Sequence, residues 1–116
     1  MNVESIREYC LSLPHVTEDV KWEKDLTFLI GEKMFAVVGL EPGNAVMSFK
    51  AEADEFEELV GRSGVIPAPY LARYKWVALE GFDVIRKSEL HELIKKSYNL
   101  VFAKLPKRLR EELTDK

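Results

Sequence analysis

The segment Leu26-Thr27-Phe28-Leu29-Ile30-Gly31-Glu32-Lys33-Met34-Phe35-Ala36-Val37-Val38-Gly39-Leu40 decides the fold. Two apolar runs rich in β-formers, 26–30 and 33–40, flank Gly31-Glu32. A Gly-X pair between such runs suits a type II′ hairpin, because glycine takes the positive φ that the first turn position demands. Downstream, Pro42-Gly43-Asn44 turns the chain into Ala45–Lys50, so three consecutive antiparallel strands are expected. Upstream, Asn2 as N-cap and Val3, Ile6, Tyr9, Cys10 and Leu13 at helical spacing predict a helix over 3–12, which Pro14 cannot continue. The stretch His15–Asp25 between helix and hairpin is polar and is assigned no strand.

Beyond the third strand, Asp54 is placed to cap a short helix with Phe56, Leu59 and Val60 on one face and Glu55, Glu57 and Glu58 on the other. Val65-Ile66-Pro67-Ala68-Pro69-Tyr70 is not helical, since each proline drives its predecessor to extended geometry and neither can donate to a central ladder. An edge or a crossing loop is expected there. Tyr74–Glu80 alternates and reads as a further strand. From Ser88, with Glu89 and Glu92, a long helix carries the stripe Leu90, Leu93, Ile94, Ser97, Tyr98, Val101 and Leu105. Pro106 ends it and opens a short terminal helix containing Leu109 and Leu113. The order α-βββ-α-β-α, with one short helix appended, predicts an α+β fold: a two-layer α/β sandwich with helices packed on one face of an antiparallel sheet.

One domain over residues 1–116 is expected, with 47% apolar residues spread along the chain and enough material for one core. No apolar run approaches the length of a membrane span, and the polar start Met1-Asn2-Val3-Glu4 does not resemble a signal peptide, so no membrane partner and a cytoplasmic location are expected. Cys10 is the single cysteine, and it can form no internal disulfide. The net charge of −3 opposes the basic footprint of a nucleic-acid binder, but it is unevenly distributed. Residues 1–60 hold five Lys/Arg against thirteen Asp/Glu, whereas 86–110 hold eight against two, so a local basic patch can act where the total would not.

The sequence contains no phosphate-binding Gly loop, no G-x-S-x-G elbow and no Cys/His metal spacing, and no cofactor or catalytic residue is assigned. Cys10 and His15 lack an orienting partner, and Cys10 reads as a core cysteine. His91, one turn into the long helix, reads as a partly exposed surface histidine. Glu52, Asp54, Glu55, Glu57 and Glu58 read as a solvated helix face rather than a cation site.

Several short motifs occur in a fixed order: Leu13-Pro14-His15-Val16-Thr17-Glu18, Lys33-Met34-Phe35-Ala36, Ser48-Phe49-Lys50, Pro67-Ala68-Pro69-Tyr70, Lys75-Trp76-Val77 and Ser97-Tyr98-Asn99-Leu100-Val101. Through them the chain resembles the MmcQ/YjbR family almost from end to end. A glycine commonly follows the proline in that family, where this sequence has His15. The resemblance implies a YjbR-like fold, likened to type III secretion chaperones and to the CyaY/frataxin arrangement. It also implies a "double wing" of hairpins proposed to bind DNA.

Phosphate contacts require Lys or Arg, and unpaired bases stack on exposed aromatics. The candidates are Lys33 beside the first turn, Lys50 at the third strand's end, Arg73, Lys75 and Trp76 around the fourth strand, and Arg86 and Lys87 before the long helix. Lys95, Lys96, Lys104, Lys107, Arg108 and Arg110 form a second basic group, explained in part by the helix dipole. Two accounts stand side by side: a non-enzymatic domain making weak, salt-dependent DNA contacts, or solvated sheet-end charges with Trp76 and Tyr70 as packing. A protein-interaction or chaperone-like module is the first rival, and frataxin-like metal handling through residues 54–58 the second. Monomer and homodimer both remain open.

Overall fold

The computed structural model describes residues 2–21, 24–40, 45–69 and 71–114. The first helix, α1 (Val3–Ser12), starts where the residues dictate: the Asn2 side chain accepts the Ser5 backbone N–H at 2.9 Å while Ser5 Oγ accepts the Asn2 N–H at 3.1 Å. This reciprocal capping box satisfies two backbone donors that the helix itself cannot. Six strands follow in one antiparallel sheet: β1 (Thr17–Lys21), β2 (Asp25–Ile30), β3 (Lys33–Gly39), β4 (Met47–Lys50), β5 (Val65–Pro67) and β6 (Trp76–Leu79), in spatial order β1-β2-β3-β4-β6-β5. Helices α2 (Ala53–Val60), α3 (Lys87–Ala103) and α4 (Lys107–Thr114) complete the described structure, with a 3-10 turn at Ala72–Tyr74 before β6.

The α+β two-layer fold with an antiparallel sheet is therefore present, with two strands more than the sequence pattern indicates. β1 lies in the stretch assigned no strand. It is an edge strand whose first four residues are exposed, Val20 at 51%, so it has no buried face to impose an apolar alternation. β5 takes the edge alternative, not the crossing loop, for the proline segment, with Pro67 as its last residue and β6 as its one neighbour. The Pro42-Gly43-Asn44 turn and Tyr70 lie outside the described residues.

Local chemistry corrects other boundaries. Gly31 and Glu32 have φ of 57° and 68°, so the β2–β3 turn has the two positive φ angles of type I′ and not the single one of type II′. The N-cap of α2 is Glu52, and the Asp54 carboxylate inside the first turn accepts the Glu55 N–H at 3.0 Å. α3 begins at Lys87 with Arg86 as N-cap, one residue ahead of Ser88. Tyr74 belongs to the 3-10 turn, and Lys75, at φ 67°, reverses the chain into β6.

The core lies between the sheet and α1, α2 and α3. Leu26, Phe28 and Ile30, then Val38, Met47, Phe49, Val77 and Leu79, project from alternate positions onto Ile6, Cys10, Leu59, Leu90 and Ile94. One side chain sets the height of α3 over the sheet. A bulge in the β2–β3 register leaves Phe35 without a partner, and the β3–β4 register stops at Ala36–Phe49. Ser97 Oγ, fully buried, bridges that gap by donating to the Phe35 carbonyl at 2.6 Å and accepting the Lys50 N–H at 3.0 Å.

His15, directly after Pro14, has φ of 62°. A non-glycine residue in the left-handed region costs about 1 kcal/mol or more. Replacing His15 with glycine is therefore expected to stabilise the protein by about 0.5–1 kcal/mol, after allowance for glycine's extra freedom in the unfolded chain. Chemical denaturation of the two proteins checks this, and a destabilised His15→Gly protein would contradict it.

Candidate anion-binding site

Three lysines distant in sequence converge on one cavity of about 500 Å³, lined by Lys33, Met34, Lys50, Tyr74, Trp76, Val101, Lys104 and Leu105. The lining contains no carboxylate. Lys33 is placed by the type I′ turn, as the first residue of β3. Lys50 ends β4, its backbone held by Ser97 and its Nζ donating to the Tyr74 carbonyl at 2.7 Å. Lys104 is the C-cap of α3, where a cation also complements the helix dipole. Tyr74 closes the 3-10 turn, is 49% exposed, and has the Arg73 guanidinium over its ring at 4.9 Å from the centroid.

Lys50 shows the consequence of this grouping. Burial holds its ammonium pKa below the usual lysine value, and the positive charge of Lys104 lowers it further. Two cations kept close together, with no acid in the wall, form a site whose repulsion an anion relieves.

The remaining sequence candidates separate. Lys75 Nζ sits over the Phe56 ring at 5.1 Å, in contact with α2. Arg86 and Lys87 mark the start of α3, about 26 Å along the helix axis from Lys104. Trp76 stays in the cavity wall but is only 5% exposed, so its ring offers no stacking face. Tyr74 is the exposed aromatic beside the lysines, and the strand reading of 74–80 gave no sign of it. Lys104, counted in the second basic group, is the member that joins the first. In that group Lys96 pairs with Glu55 at 3.0 Å, Lys107 and Arg108 lie 4.0 and 3.5 Å from Glu111 and Glu112, and Arg110 Nε donates to the Leu105 carbonyl.

The β2–β3 turn is closed rather than projecting. A Cβ on Gly31 would lie 2.7 Å from Leu105 Cδ1 and 3.0 Å from Leu109 Cδ2, so the tip is packed against the α3–α4 joint. That hairpin does not have the free tip a groove-entering ribbon needs.

Cys10, His91 and the Arg62 group lie away from the lysine cavity. Cys10 is buried, and burial pushes its thiol up to about 12. The His91 ring stacks on Tyr9, centroids 4.0 Å apart, and burial, then the charge of Lys87, lowers its pKa. Its Nε2 is buried with no partner among the described residues, while the residue as a whole is partly exposed, as the sequence reading has it. Arg62 donates to both Glu58 and Glu89, tying α2 to α3 and holding both carboxyls below the usual carboxylate range. Among the described residues no group of three or more His, Cys, Asp or Glu side chains could hold a metal ion. Among them, too, no helix is long and apolar enough to cross a membrane.

The sequence matches the YjbR family profile over residues 11–100. The structure is similar to the Deinococcus radiodurans protein DR2400, which carries a DUF419 domain: TM-score 0.87 and 27% identity, over 97% of this chain and 88% of that one. A Pseudomonas syringae protein shares the fold at TM-score 0.70 and 19% identity, over 86% of this chain and 98% of that one. No curated protein matches the sequence.

Proposed function

Because this chain belongs to the YjbR family, whose fold does not itself dictate an activity, we propose from its site that it is a non-catalytic nucleic-acid-binding domain. Lys33, Lys50 and Lys104 contact phosphates in this reading, with Tyr74 beside them. The observation that supports it is the meeting of three lysines in one carboxylate-free cavity on a chain of net charge −3. The grouping is costly without a counter-charge and is matched by a polyanion. Contacts of this kind fix position and carry no sequence information, so binding is weak and indifferent to sequence.

Three phosphate contacts imply a slope of roughly −2.7 for log affinity against log salt, or about a 40-fold loss between 50 and 200 mM. Fluorescence anisotropy with a labelled generic duplex measures this. Lys50→Glu combined with Lys104→Glu is expected to weaken binding more than tenfold. Arg86→Glu combined with Lys87→Glu, well beyond a Debye length of about 8–10 Å from the cavity, is expected to leave affinity nearly unchanged. No binding at 50 mM salt, or equal loss in both double variants, rejects the reading.

A further inference from the structure

The face of the sheet opposite the helices holds a second cavity, of about 460 Å³, whose lining includes Met34, Val37, Ser48, Ala68, Leu71 and Ala78. It shares Met34 with the lysine cavity. The register makes the two neighbours: Ser48 pairs with Val37 and with Ala78, while Lys50 pairs with Trp76, two residues further along β4 and β6. Side chains two apart on a strand share a face and lie about 7 Å from each other. The cavities thus adjoin at Met34 along β3, β4 and β6 and are treated together as a trough, apolar at one end and cationic at the other.

The lining selects the chemistry of the occupant. Only Asp25 and Ser48 contribute polar side chains to the apolar part, and no aromatic ring lines it. A nucleobase seated there would lose hydrogen bonds at its edges that the wall cannot replace. An alkyl chain loses none and gains apolar contact. At the cationic end Lys33, Lys50 and Lys104 complement a negative head group, and at the other Asp25 opposes one, which gives the trough a direction.

We infer that the trough binds a linear alkyl chain with an anionic head, a carboxylate or a phosphate monoester, its head among the three lysines and its chain over Met34, Val37 and Ala78. This goes beyond phosphate contact with nucleic acid while using the same lysine end.

Calorimetric titration with decanoate, decyl phosphate, decanol and inorganic phosphate tests it, with vesicles of anionic and neutral phospholipid as a separate arm. One-to-one binding of decanoate or decyl phosphate is expected, at least tenfold tighter than decanol or phosphate. Ser48→Trp fills the trough from its floor without removing a core side chain. It is expected to abolish the preference for the alkylated anion while keeping duplex binding and thermal stability. Lys104→Gln reads the head-group end without a bulky change and is expected to weaken both alkylated anions. Inorganic phosphate binding as tightly as decyl phosphate overturns the inference and leaves the nucleic-acid reading intact. Unchanged decanoate binding by a folded Ser48→Trp protein, or binding to vesicles alone, also overturns it. Failure of every anion, duplex included, overturns both.

Discussion

Phe49→Ala is expected to destabilise the protein by about 3–5 kcal/mol, the usual range for truncating a buried phenylalanine. Phe49 is fully buried on β4, inside the main core, with Ala36 and Val77 as its neighbours on adjacent strands. Those neighbours are small or medium-sized, and the backbone of a central strand is held on both sides, so the site cannot collapse around the missing ring. Against a total stability of about 5–15 kcal/mol the loss is large. Denaturant unfolding of Phe49→Ala beside Phe49→Leu measures it, and Phe49→Leu should retain more than half of the lost stability. A loss under about 1 kcal/mol in the alanine protein would show that the helices do not seal the inner face of the sheet at this point.

The parts of the fold legible in the sequence are those in which one segment buries a continuous face. The run 26–40 has strong β-formers and a two-residue turn, and it pairs as read. The stripe from Leu90 to Leu105 has helical period because α3 lies along the sheet. β1 was missed for the converse reason, since its side chains are mostly exposed and what makes it a strand is main-chain pairing to β2. The turn type and the α2 cap turned on which of two chemically acceptable residues takes a given backbone angle, and neighbouring packing decides that. At Gly31 the deciding neighbours are Leu105 and Leu109, more than seventy residues away.

The candidate site was half legible for the same reason. Lys33 and Lys50 belong to adjacent strands, so their proximity follows from the hairpin order. Lys104 reaches them only because α3 crosses β3 and β4, and no local pattern encodes that crossing. Arg86 and Lys87 look equivalent to Lys104 in sequence, yet the length of the same helix removes them from the site. Trp76 illustrates the opposite error, in which a residue type suited to stacking is consumed by the packing of the second sheet face.

The crossing depends on Ser97, whose replacement by alanine is expected to cost about 2–3 kcal/mol. The hydroxyl links the Phe35 carbonyl to the Lys50 N–H just past Ala36–Phe49, where the β3–β4 register ends. Without it a buried carbonyl and a partly buried N–H lose their partner together, at about 1–3 kcal/mol each, offset in part by alanine's better helix propensity and by water reaching Lys50. For a chain of this length that is a fall in Tm of about 10 °C. The effect should extend to function, because Lys50 approaches Lys104 only while β4 stays fixed to α3. Amide exchange read residue by residue separates this account from a general loss of stability: the Lys50 N–H should exchange much faster in Ser97→Ala under conditions where the Phe49 and Val77 amides remain protected. Duplex binding should weaken at temperatures where the variant is still fully folded. If Tm falls by less than about 2 °C and Lys50 stays protected, the hydroxyl is not the link that positions the lysine cavity over the sheet.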